Sequence, residues 1–181
     1  IDALANWGRT VEDTYPEMVT CVFSGTAMLN RVVGRKGLRT GLITSKGFED
    51  FHRMGRAIQC YLGYAFEDRL HLNSHKYDES LVHIHDTRGV TERIDCKGAV
   101  VIPVRVAEAT QAAKELVDQG VKAIAISLLS SYLNPDHEHA VRDAVEKVVK
   151  DSGKDIPVFA SVDYYPARKE SHRTNTTILE A

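Results

Sequence analysis

The run from Val121 to Leu129 constrains this chain more than any other stretch. Its residues are apolar almost without interruption, with Lys122 the single charge. A strand with one wet face alternates apolar and polar residues. A near-continuous apolar run suits a strand buried on both faces, as in a parallel sheet covered by helices. The flanking sequence agrees. Val106, Ala109, Ala113, Leu116 and Val117 share one helical face upstream, and Gly120 stops that helix. Downstream, Asn134 caps a second helix with Pro135 at its first position. Asp136 and Glu138 lie in its first turn and Lys147 and Lys150 in its last, which suits the helix dipole. Val141, Ala144, Val145 and Val148 face inward, and Pro157 to Val162 returns as a strand. Strand, helix and strand of these lengths predict a right-handed βαβ unit.

The first third repeats the alternation. Val19 to Phe23 reads as a strand, Ser24-Gly25-Thr26 as a turn, and Ala27 to Val33 as a helix stopped by Gly37. Leu38 to Thr44 is the next strand. Ser45 is placed to cap a helix whose stripe is Phe48, Phe51, Met54 or Gly55, and Ile58. Cys60 to Ser80 has no single period and reads as irregular with one short helix. Thr91 to Val104 reads as a hairpin turning at Asp95-Cys96-Lys97-Gly98. The expected class is α/β, with mostly parallel βαβ units and an inserted hairpin. The 181 residues are expected to form one domain: a first β/α part over 1–59, the irregular segment and hairpin over 60–104, and a βαβ unit with the start of a further helix over 105–181. The chain opens on Ile1 and stops within the helical pattern Thr177-Ile178-Leu179-Glu180-Ala181, which reads as a piece of a larger protein.

Composition removes several functions. A net charge of -2 gives no electrostatic reason for a nucleic-acid or anionic-membrane partner. No apolar run approaches the roughly 20 residues of a membrane span. Cys21, Cys60 and Cys96 are far apart, odd in number and match no zinc spacing, so a reducing compartment, the cytoplasm, is expected. His83 and His85 would share a strand face, His71 and His75 a helix face, and His137 and His139 diverge on their helix. None has a carboxylate or thiol at a recognised metal spacing, so no metal centre in the chain is expected. No Gly-x-Ser-x-Gly nucleophile turn occurs, and catalytic residues stay unassigned.

Three segments can bind anions, each with a plainer alternative. Ser24-Gly25-Thr26 joins a strand to a helix, where backbone amides hold phosphate or simply cap the helix. Ser45-Lys46-Gly47 has the same position after the next strand, and ligands gather outside the carboxyl ends of parallel strands. The closing segment carries Arg168, Lys169, His172 and Arg173, a set of donors or a solvated basic face. Thr174, Asn175, Thr176 and Thr177 follow, four poor helix formers in a row, whose local cost hints at a role for their polar groups.

Taken together these motifs resemble a known family. Ser24-Gly25-Thr26-Ala27-Met28-Leu29-Asn30-Arg31 through Gly37, and Gly41-Leu42-Ile43-Thr44-Ser45-Lys46-Gly47-Phe48-Glu49-Asp50, are similar to the hydantoinase A/oxoprolinase amino-terminal region. So is Ser127 to Glu138, and Arg173-Thr174-Asn175-Thr176-Thr177 resembles the family's Arg-Thr-x-Thr-Thr segment. Phe51 to Arg56 and Tyr164 to Glu170 look most like the large subunit of acetone carboxylases. The resemblance implies an actin-like, ribonuclease-H-type ATPase fold. It implies a subunit of an ATP-dependent carboxylase using ATP with Mg, acting on a ketone and bicarbonate beside other carboxylase subunits. The alternatives it leaves open are ATP-dependent opening of a hydantoin or 5-oxoproline ring, and a non-catalytic assembly domain. Ser24, Gly25, Thr26, Ser45, Lys46, Arg173, Thr174, Asn175, Thr176 and Thr177 are the nucleotide-contact candidates. The family's Asp-x-Gly-Gly-Thr phosphate hairpin does not occur in these residues, so they are expected not to hydrolyse ATP alone.

Overall fold

The structure is a computed structural model that describes residues 6–17, 25–54, 63–71 and 80–181. It divides into two compact units, Ile1–Lys36 and Gly37–Ala181. The expected strand Val19–Phe23, Ser24, the end of the Phe48–Ile58 stripe and His75 lie outside the described residues.

The first unit contains helix α1 (Val11–Thr14) and helix α2 (Ala27–Val33). Thr10 caps α1: its hydroxyl oxygen accepts from the Asp13 amide at 3.2 Å. Helix α2 spans the expected residues but ends earlier than the sequence suggests. The Gly34 amide donates back to the Asn30 carbonyl, so Gly34 rather than Gly37 closes it.

The second unit is built on a four-stranded parallel sheet. Its strands are β1 (Thr40–Ser45), β2 (Thr87–Val90), β5 (Ala123–Ser127) and β6 (Val158–Ala160). Their order is β2-β1-β5-β6, with every pairing parallel. A separate antiparallel hairpin joins β3 (Arg93–Ile94) to β4 (Val100–Ile102), turning at Asp95 to Gly98 as expected. The helices are α3 (Phe66–Arg69), α4 (Val106–Asp118), α5 (Asp136–Ser152), α6 (Ser161–Tyr164) and α7 (Glu170–Glu180).

Every residue of β1 and β5 is buried, and the register explains how. Leu42 pairs with Ala125. Both belong to one layer with Val82 and Ile178 of α7. Ile43, Ile124 and Ile126 belong to the opposite layer, with Ala109, Ala113 and Leu116 of α4 and Val141 and Val145 of α5. Burying each of these branched side chains is worth about 1.5–3 kcal/mol. A Cβ at Gly41 would lie 3.0 Å from two Leu116 methyls, so glycine lets α4 settle closely on β1. Gly120, at φ 80°, follows α4 in the left-handed conformation that ends it.

Two further local expectations fail. No helix starts at Ser45: Gly47, at φ 87°, turns the chain, and among the described residues of this segment a single 3-10 turn forms at Phe51–Arg53. Ser45 cannot cap because its hydroxyl is drawn into the core. His83 and His85 do not share a strand face, since Ile84–Asp86 is a 3-10 turn in which the His85 amide donates to His83 Nδ1 at 3.3 Å.

Candidate functional site

The carboxyl ends of β1, β5 and β6 carry a dense set of buried polar groups, at the edge where parallel sheets place ligands. Ser45 ends β1 with no exposed surface. Its hydroxyl donates to Glu92 Oε1 in a short bond and accepts from the Leu129 amide at 2.9 Å. The other oxygen of Glu92 lies 2.9 Å from His137 Nδ1. This chain ties β1, the segment between β2 and β3, the loop after β5 and the first turn of α5. Glu92 and His137 are both buried, so each satisfies the other where water cannot.

Glu138 is the second buried carboxylate. It accepts from the Leu128 amide at 2.9 Å and the Val162 amide at 3.0 Å, and also meets the Ser161 and Ser131 hydroxyls. Burial pushes its carboxyl above the usual range, against the pull of those donors. Glu138 therefore locks the loop after β5 to the segment after β6.

Arg173 is fully buried at the third junction. Nε donates to Ser161 Oγ at 3.0 Å, Nη1 to the Ala167 carbonyl at 2.8 Å, and Nη2 to the Leu128 carbonyl at 2.7 Å. Nη2 also pairs closely with Glu170, whose other oxygen accepts from the Ser130 amide at 3.0 Å. The Tyr132 ring lies 5.7 Å from the guanidinium carbon. Thr174 and Ser127 share a hydroxyl hydrogen bond of 2.8 Å, and Thr177 donates to the Arg173 carbonyl. The loop that these groups hold contains Ser130 at φ 57°, a left-handed conformation uncommon outside glycine.

The predicted residues thus divide by environment. Ser45, Arg173, Thr174 and Thr177 are buried and bonded within the fold. Lys46 and Asn175 face solvent, and Thr176 is half-buried. Gly25 and Thr26 are exposed in the other unit, and Ser24 lies outside the described residues. Lys46 brings a cation, and Asn175 and Thr176 bring neutral donors, a chemistry that suits phosphate oxygens. The Gly47 amide is already taken by Glu49 Oε2 at 2.8 Å.

Sequence reading gave Glu92 and Glu170 no role of their own, placed Glu138 only in the first turn of its helix, and weighed His137 only as half of a diverging histidine pair. For Glu138 a signal existed. It stands three residues before Val141 and seven before Val145, on the apolar stripe of α5, where a carboxylate needs partners. Nearby, a cavity of 170 Å³ opens between Tyr132 and Pro135 on one side and Val162 and Pro166 on the other. His139 and Asp163 also line it, bonded to each other at 3.1 Å. Among the described residues, no three His, Cys, Asp or Glu side chains gather to hold a metal ion, and no helix is long and apolar enough to cross a membrane.

Comparison with known proteins gives a consistent set. The profile of the hydantoinase/oxoprolinase N-terminal region matches residues 1–149. The acetone carboxylase beta subunit of Xanthobacter autotrophicus is 60% identical over 179 residues, covering 99% of this chain and 25% of that protein. The acetophenone carboxylase gamma subunit of Aromatoleum aromaticum is 34% identical over 96% of the chain and 24% of its own length. A nucleotide-free acetone carboxylase structure, solved in work on ATP-dependent acetone carboxylation, superposes with a TM-score of 0.89 at 60% identity, over 99% of this chain and 25% of that one. The ATP-dependent caprolactamase of Pseudomonas jessenii superposes with a TM-score of 0.74 at 27% identity, over the same shares. The chain spans about a quarter of the length of these relatives.

Proposed function

Because this chain belongs to the hydantoinase/oxoprolinase family through its amino-terminal region, we propose that it is part of a subunit of an ATP-dependent, acetone carboxylase-like enzyme that joins bicarbonate to a ketone. The observation that carries this reading is the 60% identity, sustained over 99% of the chain, to an acetone carboxylase beta subunit. Companion subunits follow from the same source, since such relatives are named as beta, gamma and alpha subunits. The 181 residues act as one amino-terminal region of that subunit, a ligase of the cytoplasm, with Mg accompanying ATP.

ATP, when bound, supplies a transferable phosphoryl group. The part of this chain is to bind and position. Within the second unit, Lys46, Asn175 and Thr176 offer solvent-facing or half-buried polar groups to phosphate, and Ser45, Arg173, Thr174 and Thr177 hold the segments that carry them. Gly25 and Thr26 offer exposed groups in the first unit. Phosphoryl transfer needs charge stabilisation from several sides together, so the 181 residues alone do not turn ATP over. The second reading is ATP-dependent ring opening, favoured by the caprolactamase of Pseudomonas jessenii, whose alpha subunit is 28% identical in sequence and whose structure superposes at 27% identity.

The test is ATP consumption by the whole subunit, assembled with its companions. Consumption is expected only when a ketone and bicarbonate are both present, with labelled bicarbonate entering the product. Opening of hydantoin, 5-oxoproline or a lactam ring without bicarbonate fixation would transfer the case to the second reading. Turnover of ATP by the isolated 181 residues would overturn the positioning role.

A further inference from the structure

The cavity beside Tyr132 opens at the carboxyl ends of β5 and β6, where parallel sheets gather ligands. Its 170 Å³ suits a molecule of a few heavy atoms and falls short of the roughly 300–1,000 Å³ of drug-sized sites. Tyr132, Pro135, Val162 and Pro166 give it apolar walls, and His139 and Asp163 a polar one. Ser131 lines it too, but its hydroxyl is spent on the Leu128 carbonyl at 2.9 Å. The buried junctions fix these walls from behind. Glu138 accepts from the Leu128 amide through one oxygen and the Val162 amide through the other, so it holds the loop after β5 against the segment after β6. Arg173 bonds Ser161, just before Asp163, and its guanidinium carbon lies 5.7 Å from the Tyr132 ring. Support of this kind keeps a reacting group in one geometry.

His139 and Asp163 form an oriented pair. Asp163 Oδ1 lies 3.1 Å from His139 Nε2, and Oδ2 accepts from Arg142 Nη1 at 2.8 Å. A carboxylate only accepts, so the neutral imidazole carries its proton on Nε2 and leaves Nδ1 as a bare lone pair. Nδ1 has no hydrogen-bond partner among the described residues, and neither has the Tyr132 hydroxyl. Stability does not account for the pair: the two side chains are 37% and 36% exposed, and ion pairs this wet contribute little. The histidine–carboxylate pair of His137 and Glu92, by contrast, is buried and lines no part of this cavity.

We propose that this cavity holds the ketone and that His139 Nδ1 is the base that turns it into a carbon nucleophile. The proposal rests on the carboxylase reading above. To gain a carboxyl group a ketone must react through its α-carbon, and an α C–H bond must break first. In that step the proton passes to Nδ1, the C–H electron pair forms the new C=C bond, and the carbonyl π pair moves onto oxygen, giving the enolate. The apolar walls take the alkyl groups, and the unbonded Tyr132 hydroxyl is the donor available to the oxygen. Asp163 stabilises the imidazolium that forms, as a positioning residue, and the partly exposed ring returns its proton to water.

The experiment uses the whole subunit assembled with its companions and supplied with ATP, acetone and bicarbonate. His139→Gln should lower kcat about 100-fold or more. KM for acetone and the melting curve should stay near the parent's, because the side chain packs in no core. His139→Ala should lose as much, and added imidazole should restore part of it. Asp163→Asn should lower kcat less, again with KM unmoved. On the unaltered enzyme, saturating acetone should shield His139 from diethyl pyrocarbonate, read by mass spectrometry. Carboxylation by His139→Gln within about threefold of the parent overturns the proposal. So does a His139→Ala enzyme that imidazole leaves dead. So does a His139 that acetone fails to shield, or that the reagent never reaches because the rest of the polypeptide fills the cavity. If the parent fixes no bicarbonate into acetone, the carboxylase reading itself fails. If the parent does and His139→Gln does too, only the base assignment fails.

Discussion

Replacing Arg173 by methionine separates a residue that holds the fold from one that waits for a ligand. The side chain is fully buried, while that of its partner Glu170 is 22% exposed. Methionine keeps the bulk and removes every donor. The Leu128 and Ala167 carbonyls then lose a partner, and Glu170 keeps only the Ser130 amide. Breaking one side of a buried pair costs about 3–5 kcal/mol. Water reaching the half-open Glu170 places the value near the lower end. A loss of about 3 kcal/mol is a large share of the roughly 5–15 kcal/mol that stabilises a typical domain. With a urea dependence of about 2 kcal/mol per molar, the unfolding midpoint should fall by about 1.5 M at unchanged slope. Adding Glu170→Gln should recover part of the loss, because it removes the stranded charge. A midpoint shift below about 0.5 M for Arg173→Met would refute the clamp. Lost nucleotide affinity at unchanged stability would make Arg173 a ligand contact instead.

Ile126 has no exposed surface and lies in the β5 core, so Ile126→Asp should cost several kcal/mol and give insoluble or unfolded protein; a soluble variant with the parent melting curve would contradict the placement of β5. Two carboxylates should give opposite pH signatures in urea titrations. Glu138 has its folded pKa raised by burial, so its contribution is complete below the ordinary glutamate range and lost as pH climbs through the raised value. Asp86 is held below the usual range by the Arg39 guanidinium at 2.7 and 2.8 Å, so its contribution is present above the ordinary aspartate range and lost as pH falls beneath it. Glu138→Gln should flatten the first slope and Asp86→Asn the second, and parallel curves for parent and variant would sink the corresponding assignment.

The α/β class, β1, α4, the βαβ unit and the closing helix were legible in the sequence because local physics and tertiary burial agree there, while α2 and the hairpin, whose apolar residues are largely exposed, follow their local signals alone. The run from Val121 to Leu129 has no polar alternation, so it demands cover on two sides, and the stripes of α4 and α5 and α7's Ile178 supply it. Short-range propensity misled where a distant partner outbid it. Ser45 looks like a cap beside Phe48, yet Glu92, 47 residues away, takes its hydroxyl into the core. Arg173 looks like a solvent-facing cation among Arg168, Lys169 and His172, yet one helical face turns it inward onto Leu128, 45 residues away. The same face turns Thr174 and Thr177 inward and leaves Asn175 outside. Periodicity along one element tells which residues share a face. Which buried donor meets which buried carboxylate depends on how β1, β5 and β6 align, a long-range register that no local window contains.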